Sequence, residues 1–396
     1  MGGRVIVVGS VNIDLVARVP HLPHPGETVT GGSYERHHGG KGGNQAVAAA
    51  RLRRPTLFIG AAGDDPFEAE ARRALSSEHV DVSMLASLPG HATGIALILV
   101  DATGENEIAV IPGANGAIET GYVRDCLARL GRLVGDVLLV CNEVPLHVVR
   151  EALVWAHAAG ATTVLNPAPA IGIDRSIFGL ADIITPNRNE LATLLQTEAR
   201  RTGRRVDAST ETSVRARTLL EIGPGGPGVR KAVIVTVGAA GVVVLERVGS
   251  GLAASVARQE LVDGASVAGV AAVAGVAGVT AQEPRPEGFD TAAAISGAAA
   301  PGAAATASPV DGAPADAVRV GDHRIWEVPA DEVATVDSTG AGDAFCGALA
   351  AALAEGRPLA EAVKRAVAGS ALATTHVGAR EGMPTLAELD EFLAAR

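Results

Sequence analysis

The sequence predicts an α/β chain with a mostly parallel sheet covered by helices on both faces, and three observations carry that prediction. Short β-branched runs recur along the 396 residues, helix-length stretches lie between most of them, and a 47% hydrophobic content is ample for a large core. The runs are RVIVVG (4–9), TLFIGA (56–61), GIALILV (94–100), DVLLVC (136–141), TTVLN (162–166), DIITP (182–186), AVIVTVG (232–238) and GVVVLERV (241–248). The helical stretches include NQAVAAARLR, PFEAEARRALSS, HVVREALVWAHAAG and NELATLLQTEARR. Strands of four to seven apolar residues alternating with helices of ten or more are the pattern of a sheet buried on both sides.

Two segments break this rhythm. Residues 14–38 have no helical period, and 93–115 read as two strands joined by the turn DATGEN. Together they predict a small separate sheet. Placed around the first βα units, it would overhang the carboxyl ends of the main strands, where open α/β sheets bind ligands, and so act as a lid. A third segment, 249–317, is nearly all small residues with proline punctuation, a composition with too few large side chains to bury. It reads as a low-complexity, flexible insertion in one domain spanning 1–396. The strands GVVVLERV and HRIWEVPA on either side of it read as a hairpin with a greatly lengthened tip.

Composition excludes several classes of function. A formal charge of -11 with 3% aromatic residues provides neither a basic footprint nor stacking platforms for nucleic acid. The first apolar run is too short for the ~7–15-residue core of a signal peptide, and no window reaches the ~18 apolar residues of a membrane span. A cytoplasmic location is the expectation. Cys126, Cys141 and Cys346 are widely spaced, with no C-x-x-C pair, and are expected to be reduced thiols.

Chemistry concentrates in two glycine clusters. In DSTGAGDAFCGAL, beginning at Asp337, a Gly-x-Gly turn at a helix start would leave backbone N–H groups free at the positive end of the helix dipole, a place suited to phosphate. Asp343 does not suit a plain anion site. It makes sense as a base facing a hydroxyl whose proton leaves as a phosphoryl group arrives, or else as a helix cap. In HHGGKGGNQAVAAARL (37–52) the glycines permit close backbone approach, Lys41 is one of only three lysines, and Asn44 is expected to open the helix. No Ser or Thr follows the lysine, so this is not a Walker loop, and GSVNID has one glycine where a dinucleotide fingerprint needs three. Asn12 and Asp14 are instead polar groups just past the first strand.

These residues resemble the phosphofructokinase-B type carbohydrate kinases of the ribokinase group. The signatures GGKGGNQAVAA and DSTGAGDAFCGAL bracket GSVNID, PGETVTG, GAAGDD, NEVPL, NPAPA, DIITPNRNE and TVGAAG, with the order along the chain kept. The resemblance implies a ribokinase-like three-layer α/β/α fold with a small β-sheet lid. It makes Asp343 the catalytic base and Gly340, Ala341 and Gly342 the anion hole. It assigns Asn12, Asp14, Gly40, Lys41, Asn44 and Glu143, together with Asp343, to the sugar. Asn187 and the loop Thr236, Val237, Gly238, Ala239, Ala240 and Gly241, with Gly342, fall to ATP. Glu190 is implied to hold Mg2+ through water, and Asp337, Thr339, Ala373, His376, Gly378 and Gly382 to form a K+ site.

The implied activity is ATP-dependent phosphorylation of D-ribose at O5 by a homodimer that uses Mg2+ and K+. Deoxyribose, fructose or a nucleoside is the alternative acceptor, and a catalytically idle sugar-binding regulator is the reading from another class. Three features depart from the family pattern. The segments 200–228 and 249–317 are long, and AVAGS at 366–370 supplies no evident adenine-recognising side chain.

Overall fold

The computed structural model of the protein describes residues 2–173, 175–202, 211–220, 228–248, 314 and 316–396. The insertion expected at 249–317 falls almost entirely outside the described residues, as do 203–210 and 221–227 of the long 200–228 segment. Fourteen strands are described: β1 (Val5–Val8), β2 (Asn12–Arg18), β3 (Ser33–Gly39), β4 (Thr56–Gly63), β5 (Val80–Leu88), β6 (Gly94–Val100), β7 (Asn106–Ile111), β8 (Val137–Cys141), β9 (Thr162–Asn166), β10 (Ile183–Ile184), β11 (Ala232–Thr236), β12 (Val242–Arg247), β13 (Val318–Val320) and β14 (His323–Val328).

Ten of them form one sheet in the order β13-β14-β12-β11-β10-β9-β8-β1-β4-β5. From β5 to β11 every pairing is parallel, and β12, β14 and β13 add an antiparallel edge. The expected hairpin is thus present as β12 against β14, with β13 folding back as a further strand. Strand β5 carried no expectation. Its residues alternate between buried and exposed at the sheet edge, so the run lacks the continuous apolar character by which the central strands are read. DIITP contributes only two strand residues before the chain turns away.

Side chains alternate across the sheet, so β1 serves two cores. Val5 and Val7 pack toward one helical layer, Ile6 and Val8 toward the other. The first layer contains α1 (Lys41–Arg51) and α2 (Pro66–Ser77); the second contains α4 (Thr120–Leu130), which follows the one-turn α3 (Ala114–Ala117), and α5 (Leu146–Ala158). The short α6 (Arg175–Phe178), α7 (Arg188–Thr202) and α8 (Thr212–Leu220) complete the second layer, and α9 (Ala341–Ala354), α10 (Leu359–Ala373) and α11 (Leu386–Ala394) complete the first. This is the predicted three-layer α/β/α arrangement.

The lid is a second sheet of four strands, β3-β2-β6-β7. It begins at Asn12, two residues before the expected boundary, because β2 leaves the end of β1 almost without a connecting loop. The DATGEN turn joins β6 and β7 as expected. Val110 of β7 lines the cavity beneath the lid, while Leu97 and Ile111 lie on the opposite face by strand alternation and are exposed. All three cysteines are buried free thiols, and burial pushes those of Cys141 and Cys346 up to about 12. Among the described residues no helix is long and apolar enough to cross a membrane.

Candidate active site

The carboxyl ends of β1, β8, β9, β10 and β11 deliver Ser10, Glu143, Asn166, Thr185 and Thr236 to one side of the sheet, around the switch point where β1 is flanked by β4 and β8. The starts of α1 and α9 meet there. They come together because Gly347 has no side chain: a Cβ at that position would lie 2.5 Å from the Ala48 Cβ. The first glycine cluster is explained the same way. Gly42 lies against the backbone of Gly9, where a Cβ would meet atoms at 2.7 Å, and Gly40 stands at φ +84° against Val11 and Asn12. The helix therefore opens at Lys41, and Asn44, expected at its first position, sits a turn inside it.

Asp343 is 7% exposed, and both of its carboxylate oxygens are held by side chains of α1. Asn44 Nδ2 donates to Oδ2 at 3.2 Å, and Gln45 Nε2 donates to Oδ1 at 3.0 Å and to Asn166 Oδ1 at 3.1 Å. The cap reading fails. Gly340 occupies the N-cap of α9, and no side chain caps that helix. Gly340 has φ +77°, and a Cβ on it would lie 2.7 Å from the Ala379 carbonyl oxygen, so the turn requires glycine twice over. The Ala341 amide is given to the Ser338 carbonyl at 3.2 Å. Among the described residues no acceptor meets the Gly342 or Asp343 amide, and a Cβ at Gly342 would meet nothing within 4 Å. Open space before two free N–H groups at a helix start suits an anion.

Among the residues the resemblance assigns to the sugar, Glu143 accepts from Ser10 Oγ and from the Lys41 amide at 2.9 Å. Asn12 Oδ1 accepts from Asn115 Nδ2 at 2.8 Å, fixing the orientation of its amide. The Lys41 ammonium is buried and its pKa is raised, chiefly by the Asp343 charge against the cost of burial, with Glu143 and Glu190 adding to the rise. Asp14 is pushed from 3.8 up to about 6, chiefly by burial; Arg380 and His37 oppose the rise, Glu143 and Asp343 add to it, and its Oδ1 has no hydrogen-bond partner. The folded state holds this proton more tightly than the unfolded chain does. The contribution to stability is therefore fully present below pH 3.8 and lost as the pH rises through about 6. The resemblance implies a sugar hydroxyl donating to Asp14, and the ionised carboxylate accepts such a bond more strongly than the protonated carboxyl does. The half-saturating sugar concentration should rise about tenfold per pH unit below pH 6. Asp14→Asn should abolish that slope, and an unchanged slope in the variant would exclude Asp14 as its source.

Three cavities follow one another along the strand ends. A cavity of 380 Å³ lies beside Asn12 and Glu143 under Val110 of the lid. A polar one of 230 Å³ contains Lys41, Asn187, Glu190, Gly342 and Asp343. An apolar one of 520 Å³ runs from Gly238 and Gly241 to Phe345, Val367 and Ala371, and shares Thr236, Ser338 and Gly342 with the polar one. The expected nucleotide loop therefore borders the largest of these three cavities. Ser370 also lines it, but its hydroxyl donates to the Ala341 carbonyl at 2.9 Å.

Asn187 and Glu190 cap α7 reciprocally, each side chain accepting from the other's amide at 2.8 Å. Burial raises the Glu190 pKa, so a cation beside it would be favourable, and an oxygen-lined polar cavity fits Mg2+ held through water and phosphate. The loops implied for K+ are tied together by Asp337, whose oxygens accept from the amides of Thr339 at 2.8 Å and Gly378 at 2.9 Å. Gly382 lacks a side chain where a Cβ would lie 2.2 Å from the Ala373 carbonyl oxygen, which leaves room for the carbonyl-rich cradle a monovalent cation needs. His376 is exposed, with its Nδ1 at 2.9 Å from Thr375 Oγ1.

Sequence reasoning missed Ser10, Gln45, Asn115, Asn166 and Arg380. Ser10, Gln45 and Asn166 stand inside quoted motifs, but the partners of Gln45 are 121 and 298 residues away. Nothing local marks Asn115 or Arg380.

The comparisons agree with this geometry. The model of the pfkB family carbohydrate kinases matches residues 3–317 and 310–386. A ribokinase from Schizosaccharomyces pombe is 30% identical over 98% of this chain and 96% of its own length. A deoxyribokinase from Salmonella typhi is 26% identical over 98% of each. The crystal structure of a ribokinase from Thermotoga maritima superposes with a TM-score of 0.70 at 26% identity, covering 99% of both chains. With the glycine turn, the buried carboxylate and the strung cavities all in place, the chain belongs to the pfkB family of carbohydrate kinases and is a phosphotransferase.

Proposed function

We propose that the protein transfers the γ-phosphoryl group of ATP to the 5-hydroxyl of D-ribose, giving ribose 5-phosphate and ADP. The observation that carries this reading is Asp343, whose carboxylate is gripped by two amides next to the open Gly342 and faces the polar cavity between the other two. The sugar lies under the lid against Asn12, Asp14, Gly40, Lys41, Asn44 and Glu143. Its primary hydroxyl is directed at Asp343, which takes the proton as the hydroxyl oxygen attacks phosphorus. The free amides at the start of α9 and the Lys41 ammonium receive the charge on the transferring group. Asn187 and Glu190 would hold Mg2+, which would supply charge neutralisation of the ATP phosphates, and the loops of Asp337, Thr339, Ala373, His376, Gly378 and Gly382 would hold K+, which would add positive charge near the turn at Gly340. ATP occupies the apolar cavity along 236–241. Closure of the lid excludes water, which favours transfer over hydrolysis.

Relatives named ribokinase over nearly the whole chain support ribose as the acceptor. A nucleoside is the second reading, favoured by the apolar wall of Val110, Pro112, Val144, Pro145 and Pro169 in the lid-side cavity. An idle regulator would have no need to keep the base and the free amides together. ADP release measured across ribose, deoxyribose, fructose and nucleosides tests all of these. Ribose is expected to give the highest kcat/KM; a nucleoside in first place shifts the acceptor class, and no ADP release with any acceptor removes the kinase reading. The exposed apolar residues Leu97 and Ile111 on the outer face of the lid support a homodimer joined there. Light scattering of the intact chain should return twice 39.8 kDa, and a monomer at micromolar concentration would refute it.

A further inference from the structure

We propose that Arg380 is a positioning residue, which fixes the orientation of the Asn44 amide and, through it, the Asp343 carboxylate. The inference rests on reading Asp343 as the base. Arg380 is 6% exposed, its Nε donates to Asn44 Oδ1 at 2.9 Å, and its Nη2 donates to the Gly39 carbonyl at 3.0 Å. On its other side Asn44 donates to Asp343.

A guanidinium has donors and no acceptor, whereas an ionised carboxylate has acceptors and no donor. A primary amide placed between the two satisfies both in only one orientation, with Oδ1 toward Arg380 and Nδ2 toward Asp343. The flipped amide would set Nδ2 against the guanidinium and Oδ1 against the carboxylate, leaving buried groups unpaired on both sides. Gln45 has no such director. It meets acceptors on both Asp343 and Asn166, and its Oε1 is buried without a partner.

The arginine is itself clamped. Its carbonyl accepts from Arg51 Nη1 at 2.7 Å, and Arg51 also binds the Met383 carbonyl and the Glu78 carboxylate. Gly43 leaves room for the guanidinium, since a Cβ there would lie 2.5 Å from Nη2. Just before it in the chain, the Gly378 amide donates to Asp337 and Ala379 packs on Gly340. One short segment thus touches the glycine turn that starts α9 and the amide that holds the base.

The test compares Arg380→Gln, Arg380→Lys, Asn44→Ala, the Arg380→Gln/Asn44→Ala pair and Asp343→Asn, each checked for a native melting transition. Lysine keeps donor-only chemistry, whereas glutamine can also accept and so frees the amide to flip. Arg380→Gln should lower kcat on the order of 10- to 100-fold with the half-saturating ATP concentration unchanged. Arg380→Lys should recover most of that loss, and the double variant should be no slower than Asn44→Ala. Losses that multiply in the double variant, or a folded Arg380→Lys as slow as Arg380→Gln, overturn the proposal. If Arg380→Gln fails to fold, the comparison of Arg380→Lys with wild type decides: near-native kcat supports the proposal, and a large loss refutes it. An active Asp343→Asn would overturn the underlying base reading instead, so the two failures are distinguishable.

Discussion

Asp343→Asn should lower turnover by about 10²–10⁴-fold while sugar and ATP still bind. The substitution preserves volume inside a site where the side chain is 7% exposed. It removes the group that takes the hydroxyl proton. It also conflicts locally, because both Asn44 and Gln45 present donors to this position and an amide can accept through only one of its two heavy atoms. Binding should survive, since the other proposed sugar contacts, Asn12, Asp14, Gly40, Lys41, Asn44 and Glu143, are untouched, and the cavity proposed for ATP is lined by Gly342 but not by Asp343. Isothermal titration with ribose and with a non-hydrolysable ATP analogue, alongside single-turnover rates, separates the two effects. Turnover close to wild type would remove Asp343 from the base role.

Gly342→Val should leave the melting temperature nearly unchanged and lower kcat by about two orders of magnitude. The space where its Cβ would go is empty, so the protein loses no packing. Gly342 lines both the polar and the apolar cavity, where the transferring phosphate is proposed to sit, and a branched side chain there would crowd it. Gly340→Ala is the contrasting variant. There φ is +77° and the new methyl would meet the Ala379 carbonyl, so stability falls together with activity. Normal kinetics in a folded Gly342→Val protein would place the anion elsewhere. The two glycines of one motif thus divide the labour, one making the turn and the other leaving space beside it.

Much of this architecture was legible before any coordinates. The parallel strands could be read because each is buried on both faces and runs apolar without interruption, while β5 at the edge alternates and went unread. The lid was legible through broken helical period and the DATGEN turn, apart from the two residues by which β2 precedes the expected boundary. The family motifs pointed to Asp343, Gly342 and Glu143 because each lies in a short stretch whose residue types imply chemistry at that spot.

The chain's own text therefore determined the layers, the accessory sheet and the residues proposed for the site, since periodicity and motif spacing are local properties. The glycine turn alone left Asp343 as a cap or a base, which the resemblance resolved as the base, and the roles of Gln45, Asn166 and Arg380 could not be read. Those questions are non-local: Asp343 meets Asn44 across 299 positions, and Arg380 meets Asn44 across 336. Only the close approach of α1 and α9, permitted by missing side chains, brings a donor-only guanidinium, an amide and a carboxylate into one row. Hydrogen-bond direction then does the rest.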